Sequence, residues 1–209
     1  MGNLLLYIRA GLTHLAAEIR GSSLDVLAWG VETSGLRVVG CPGGWVKTLR
    51  VLLLVLGWEV ESSDAAVGAG KWTGKATVSI PGQKGNTAKT LTVLTTFLQA
   101  GLVTGSDTDE EGNERERWPF PLRNTQAHMI PKQSNAFAPL NLFGAPRDED
   151  GEMYEDLEDR RRIFVRKGFL AAVEKGVVSC RGEGGETGRA AGAVRKVVEE
   201  GMRGFEDEG

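Results

Sequence analysis

At 209 residues the chain has room for one domain, or for a domain with an appended tail, and 41% hydrophobic residues supply a core from limited stretches. A net charge of −3 at pH 7 excludes a global basic field that would draw the chain onto nucleic acid regardless of sequence. Two cysteines, Cys41 and Cys180, stand in unlike contexts, which excludes a disulfide framework and fits a reducing compartment such as cytosol or nucleus.

Glycine is over-represented, with 29 residues against a usual share of ~7%, and much of the excess falls after Val60 and after Gly182, where long loops are expected. The apolar start Leu4-Leu5-Leu6 breaks at Arg9 without a cleavage site, so a secretory signal is not indicated. The longest apolar segment, Val51 to Leu56, is far short of the roughly 20 residues of a membrane span. The chain reads as soluble and intracellular.

In chain order, Leu4, Leu5, Tyr7, Ile8 and Leu12 recur on one side of a short helix ending near Gly11. A second helix follows from about Ala16, with Ile19, Ser23, Val26, Leu27 and Gly30 as its apolar stripe, widened by Ala16, Leu24 and Ala28, with Trp29 near the edge and Gly35 as its stop. Cys41-Pro42-Gly43-Gly44 turns the chain into a third helix, Trp45 to Leu56, apolar almost all round and therefore expected between neighbours. A glycine-rich insertion over 59–86 holds Trp72. A fourth helix, Thr87 to Ala100, presents Leu91, Leu94 and Leu98 and is capped by Gly101. Helix pairs with short turns predict an all-α fold of α-solenoid type over 1–103.

Residues 104–117 read as an acidic, flexible linker. From 118 to 209 the expectation is an extended Pro/Phe-rich strap followed by two helices, roughly Glu158 to Gly176 and Gly188 to Met202. A segment such as Phe137 to Phe143 commonly lies along a partner's surface.

No catalytic constellation emerges. Gly68-Ala69-Gly70-Lys71-Trp72-Thr73-Gly74-Lys75 lacks the spacing of a phosphate loop, and Ala76 stands where a magnesium-binding hydroxyl belongs. His14 and His128 are far apart and no Cys-x-x-Cys seeds a metal site; His14 is expected to make a structural hydrogen bond at the first turn. The acidic run Asp148 to Glu152 lacks EF-hand spacing. Arg160-Arg161-Arg162 with Arg166 and Lys167 is the best local basic patch, interleaved with Glu158 and Asp159. The tryptophans Trp29, Trp45, Trp58 and Trp72 read as packing anchors. No catalytic, cofactor-binding or metal-binding residue is assigned.

Two stretches carry a resemblance. Leu5-Leu6-Tyr7-Ile8-Arg9-Ala10-Gly11-Leu12-Thr13-His14-Leu15, the Ile19-Arg20 step and Cys41-Pro42-Gly43-Gly44-Trp45-Val46-Lys47-Thr48-Leu49 through Leu56-Gly57-Trp58 form the first. Pro131-Lys132, Ser134 to Phe137, Leu140 to Gly144, Pro146 to Asp148 and Gly151 to Asp156, continuing into Glu158-Asp159-Arg160, form the second. Both are similar to the fungal pre-rRNA-processing Ipi-one family, whose animal counterpart is testis-expressed protein ten. The resemblance implies an armadillo/HEAT-like solenoid fragment with long loops and a C-terminal helical extension, lacking the family's N-terminal repeats. It implies a non-enzymatic scaffold subunit of the nuclear Rix-one complex, acting on pre-60S particles in processing of internal transcribed spacer two. The expected partners are other subunits of that complex, the pre-60S particle, and indirectly a midasin-type AAA ATPase, with RNA reached through the complex and no membrane contact. Trp45, Lys47, Asn135, Phe137, Asn141, Phe143, Arg160 and Arg161 are the residues expected to meet partners. The alternative is a helical adaptor for RNA or chromatin that uses the Arg160–Lys167 basic helix directly.

Overall fold

Leu5, Ile8 and Leu12 fall three and four residues apart, and in the computed structural model they form the buried side of α1, Gly2–Leu12. The structure describes residues 2–60, 87–103 and 148–205. Within them α1 is followed by α2 (Ala17–Gly40), α3 (Val46–Leu56), α4 (Thr87–Leu98) with a π-helical turn at its end (Gln99–Val103), α5 (Leu157–Arg166), α6 (Phe169–Glu183) and α7 (Gly185–Gly201). The described residues contain no strand, so the all-α expectation holds for them. Two compact units divide the chain, Met1–Thr104 with Asp150–Gly209 in one and Gly105–Glu149 in the other; the seven described helices belong to the first. The linker at 104–117, most of the insertion, and the Phe137–Phe143 strap lie outside the described residues.

The unit is built from helices that pair with their neighbours in sequence and from α4, which joins the early helices to the last one. α1 lies on α2 and α3, α4 packs against α2, α3 and α7, and α6 packs on α5 and α7. α3 contacts α1, α4 and α6, as its apolar character predicts, but Arg50 and Leu54 leave one side of it exposed. Leu49, Leu52 and Leu53 of α3, Leu91, Leu94 and Phe97 of α4, and Val194 and Val198 of α7 share one core.

Four helix features differ from the expectation. Of the stripe expected on α2, Leu27 and Gly30 are buried with Leu24 beside them, while Ile19, Val26 and Trp29 face outward. α2 has apolar residues on two sides, and the face that meets α1 and α4 is turned from the expected stripe toward Arg20 and Val31. Gly35 does not stop α2. The helix breaks at Ser34 (φ −153°, ψ 51°) and resumes to Gly40, and a Cβ on Gly35 would stand 2.9 Å from the Ala100 Cβ. Gly101 does not cap α4 but lies inside the π-helical turn. The helix expected over Glu158 to Gly176 is two helices, divided at Gly168, whose φ of +74° suits glycine alone without strain.

Gly57 shows how one turn residue directs long-range packing. It closes α3 with φ +73°, its N–H donating to the Leu54 carbonyl while the Trp58 N–H donates to the Leu53 carbonyl. The chain leaving this cap places the Trp58 indole directly on Gly176 of α6, where any Cβ would overlap the ring. An α3–α6 contact thus depends on a glycine at each end.

Candidate functional site

The two stretches singled out by sequence meet in space. Gly43, at φ +66°, donates its N–H to the Glu152 carbonyl at 3.0 Å, and its own carbonyl accepts from Arg9 Nη1 at 2.8 Å. Gly44 turns so tightly that a Cβ would overlap the Val38 carbonyl. Asp150 pairs with Arg50 of α3 and lies 3.8 Å from Lys167 Nζ.

The glycine turn delivers Trp45 into the core. Its ring stacks on Phe97 (centroids 5.5 Å apart, planes at 16°) and meets Phe164 at 6.0 Å, which in turn meets Phe169 at 6.3 Å. The six-membered part of the indole presses on Gly101, leaving no space for a Cβ there. The indole N–H donates to the Arg160 carbonyl at 3.1 Å, so a buried tryptophan meets its hydrogen-bonding need on α5.

Arg160 occupies the centre of this junction with 2% of its surface exposed. Its Nε donates to the Gly101 carbonyl at 2.8 Å, and Nη1 donates to the carbonyls of Tyr154 (3.2 Å) and Glu155 (2.8 Å). The neighbouring Arg161 Nη2 donates to the Leu102 carbonyl at 3.1 Å. Both cations therefore meet the carbonyl end of α4, where the backbone carries partial negative charge. Burial pushes the Arg160 guanidinium below its ordinary value, opposed by the charge of Asp156, yet the group stays a cation at any working pH. A second buried arginine, Arg20 of α2, fixes the α1–α2 turn by donating to the carbonyls of His14 (2.8 Å) and Leu15 (2.7 Å). The structural hydrogen bond expected of His14 is present, its Nδ1 accepting from the Ala16 N–H at 3.0 Å.

Of the residues expected to meet partners, Trp45 and Arg160 are joined in this junction and buried, Arg161 is half-buried beside them, and Lys47 is half-buried with its stem against Gly43. Asn135, Phe137, Asn141 and Phe143 lie outside the described residues. Sequence reasoning missed Arg9, Arg20, Phe97 and Gly101 as members of the scaffold. For Arg20 a signal existed, because it shares a helical face with Leu24, Leu27 and Val31.

The junction holds helices together through these contacts. Among the described residues no three of His, Cys, Asp and Glu gather as metal donors. Burial pushes both thiols up from their ordinary value, partly offset at Cys41 by Arg9, and reinforced at Cys180 by Glu183. The thiolate is the reactive form, so alkylation by iodoacetamide at pH 8 is expected to run slower at both cysteines in the folded chain than in urea. Equal rates in the two conditions would contradict this burial.

A family model described as "Rix1 complex component involved in 60S ribosome maturation" matches residues 1–98, the stretch from α1 through α4. Relatives extend the match across the junction into α5 to α7. The pre-rRNA-processing protein ipi1 of Aspergillus fumigatus is 47% identical over 205 residues, covering 94% of this chain and 57% of that protein. That of Emericella nidulans is 44% identical over 241 aligned positions, covering 100% and 62%, and that of Chaetomium thermophilum is 40% identical over 201, covering 93% and 55%.

The chain belongs to the Ipi1 family.

It spans less than two thirds of the length of these Ipi1 relatives. The family model ends at Leu98, whereas Tyr154 and Arg160, which complete the Trp45 pocket, come from beyond it. The Ipi1 segment of α1 to α4 is thus closed on one side by residues of α5 and of the segment preceding it.

Proposed function

We propose that this Ipi1 chain is a non-catalytic scaffold that contributes to 60S ribosome maturation as a subunit of the Rix1 complex. The observation that carries the reading is the use of polar groups at the junction. Arg160, Arg161 and the Trp45 indole N–H each donate to backbone carbonyls, which holds helix faces in place as a scaffold requires. The family description and the names of the relatives support the biological setting.

Finer parts of the proposal go further. The helices act as a HEAT-like solenoid segment, the work is done in the nucleus on pre-60S particles at internal transcribed spacer two, and a midasin-type ATPase is met through the complex. Phe137 and Phe143, with Asn135 and Asn141, are proposed to dock on a partner subunit. An RNA- or chromatin-binding reading has less support, because Arg160 and Lys167 are buried, Arg161 is tied to Leu102, and Arg162 and Arg166 are the exposed cations of the five.

Replacement of the endogenous protein by this chain, followed by probing of pre-rRNA species, tests the proposal. Restored large-subunit levels and normal spacer-two intermediates are expected. Accumulation of those intermediates, as in a strain lacking the protein altogether, would overturn it for this chain.

A further inference from the structure

The outward face of α2 is an ordered seam. Ile19, Ser22, Val26, Trp29 and Thr33 follow one another at alternating spacings of three and four residues, the a and d positions of two heptads. Ile19 is 43% exposed, Val26 40% and Trp29 62%. None of the three serves the core of the unit, which α2 meets through Leu24, Leu27 and Val31. The two hydroxyl members are prepared for burial. Ser22 donates to the Glu18 carbonyl at 3.0 Å and Thr33 to the Trp29 carbonyl at 2.8 Å, so covering them strands no donor. The seam ends at Thr33, just before α2 breaks at Ser34 and resumes to Gly40.

One flank of the seam is acidic at a matching period. Glu18, Asp25 and Glu32 stand seven residues apart, each at the position immediately before an a residue, the g position that selects partners in paired helices. Asp25 pairs with Lys89 of α4 at 2.7 Å, while its side chain stays two-thirds exposed. The opposite flank holds Ser23 and Gly30. A second copy of this chain fits poorly. Antiparallel pairing would set Glu18, Asp25 and Glu32 against the same acids, and parallel pairing would set them against Ser23 and Gly30, neither of which is a cation.

We propose that the outer face of α2 is a docking seam for an amphipathic helix of a partner protein, one whose apolar stripe is flanked by lysine or arginine. The inference deepens the scaffold reading and rests on it for its biological meaning, but its test uses purified components, so its failure is separate from failure of the role in cells. Two heptads give a short, reversible contact, in which the charges of the flank set the choice of partner more than the strength.

The probes are two fluorescein-labelled peptides of about three heptads, both with leucine at a and d, one with lysine at e and g and one with glutamate there. Like charges along each peptide's edges discourage it from pairing with itself. Anisotropy titration with the full chain at low salt is expected to show binding of the lysine-edged peptide about tenfold tighter than of the glutamate-edged one, from two to three favourable pairs replaced by repulsive ones. Glu18→Lys with Glu32→Lys, both on exposed side chains, inverts the preference. Ile19→Ser with Val26→Ser removes binding of both peptides while helix content by circular dichroism is retained. The proposal is overturned if the folded chain binds neither peptide, or binds both equally. Self-association that Ile19→Ser with Val26→Ser abolishes would also overturn it, because a second copy would then be the occupant.

Discussion

Replacing Arg160 by methionine is expected to lower the unfolding free energy by about 3–5 kcal/mol, enough to unfold a marginal domain. Methionine keeps much of the apolar stem, so the loss isolates the guanidinium. Three carbonyls, those of Gly101, Tyr154 and Glu155, lose their charged donor; the first two hydrogen bonds are buried, and each buried acceptor left stranded costs about 1–3 kcal/mol before relaxation. Lysine retains the charge but has no planar fork to span α4 and the segment before α5, so Arg160→Lys is expected to lose roughly half as much. Arg162→Met supplies the control, since that side chain is exposed and pairs with Asp159 at 3.4 Å on the surface, and a change within about 0.5 kcal/mol is expected. Urea unfolding followed by far-ultraviolet circular dichroism checks all three. Equal midpoints for Arg160→Met and Arg162→Met would mean that the buried cation does not hold the junction.

The second large effect is expected where Trp45 meets Gly101. Trp45→Ala removes a fully buried indole stacked on Phe97 and is expected to cost about 3–5 kcal/mol. Gly101→Ala adds a single methyl group in direct overlap with the same ring, and the overpacking is expected to cost about 1–3 kcal/mol. Because the two residues press on one another, the effects are not additive. In a Trp45→Leu background, where the ring that collides is gone, Gly101→Ala is expected to lose most of its cost. A double-mutant cycle by urea unfolding measures this coupling, and a coupling near zero would place the strain of Gly101→Ala elsewhere.

Much of the helix pattern was legible because it is local. The spacing of Leu5, Ile8 and Leu12 marks α1, and the apolar surface of α3 marks a helix with neighbours on most sides, here α1, α4 and α6, with Leu54 on the side left open. The junction was harder to read because its causes are long-range. Three consecutive arginines look alike as a basic run, but successive residues on a helix point about 100° apart, so Arg160 turns into the core while Arg162 faces water. Gly35 and Gly101 carry the same ambiguity. Each could end a helix by its backbone freedom, and each instead admits a neighbour, Ala100 or Trp45, from a distant part of the chain. On α2 both sides are apolar, and the buried side carries an arginine whose partners are the carbonyls of His14 and Leu15, at the end of the turn before the helix. The meeting of Gly43 with Glu152 and of Trp45 with Arg160 joins stretches more than a hundred residues apart, a pairing that no periodicity encodes.

In the proposed role this Ipi1 chain works by holding other proteins. Affinity purification of the tagged chain from the cells it comes from, with protein and RNA in the eluate identified, tests that role. Recovery of Rix1 complex subunits together with large-subunit precursors is expected, and loss of both with the Arg160→Met chain. Recovery of chaperones alone by the unaltered chain, with neither complex subunits nor precursor RNA, would contradict it.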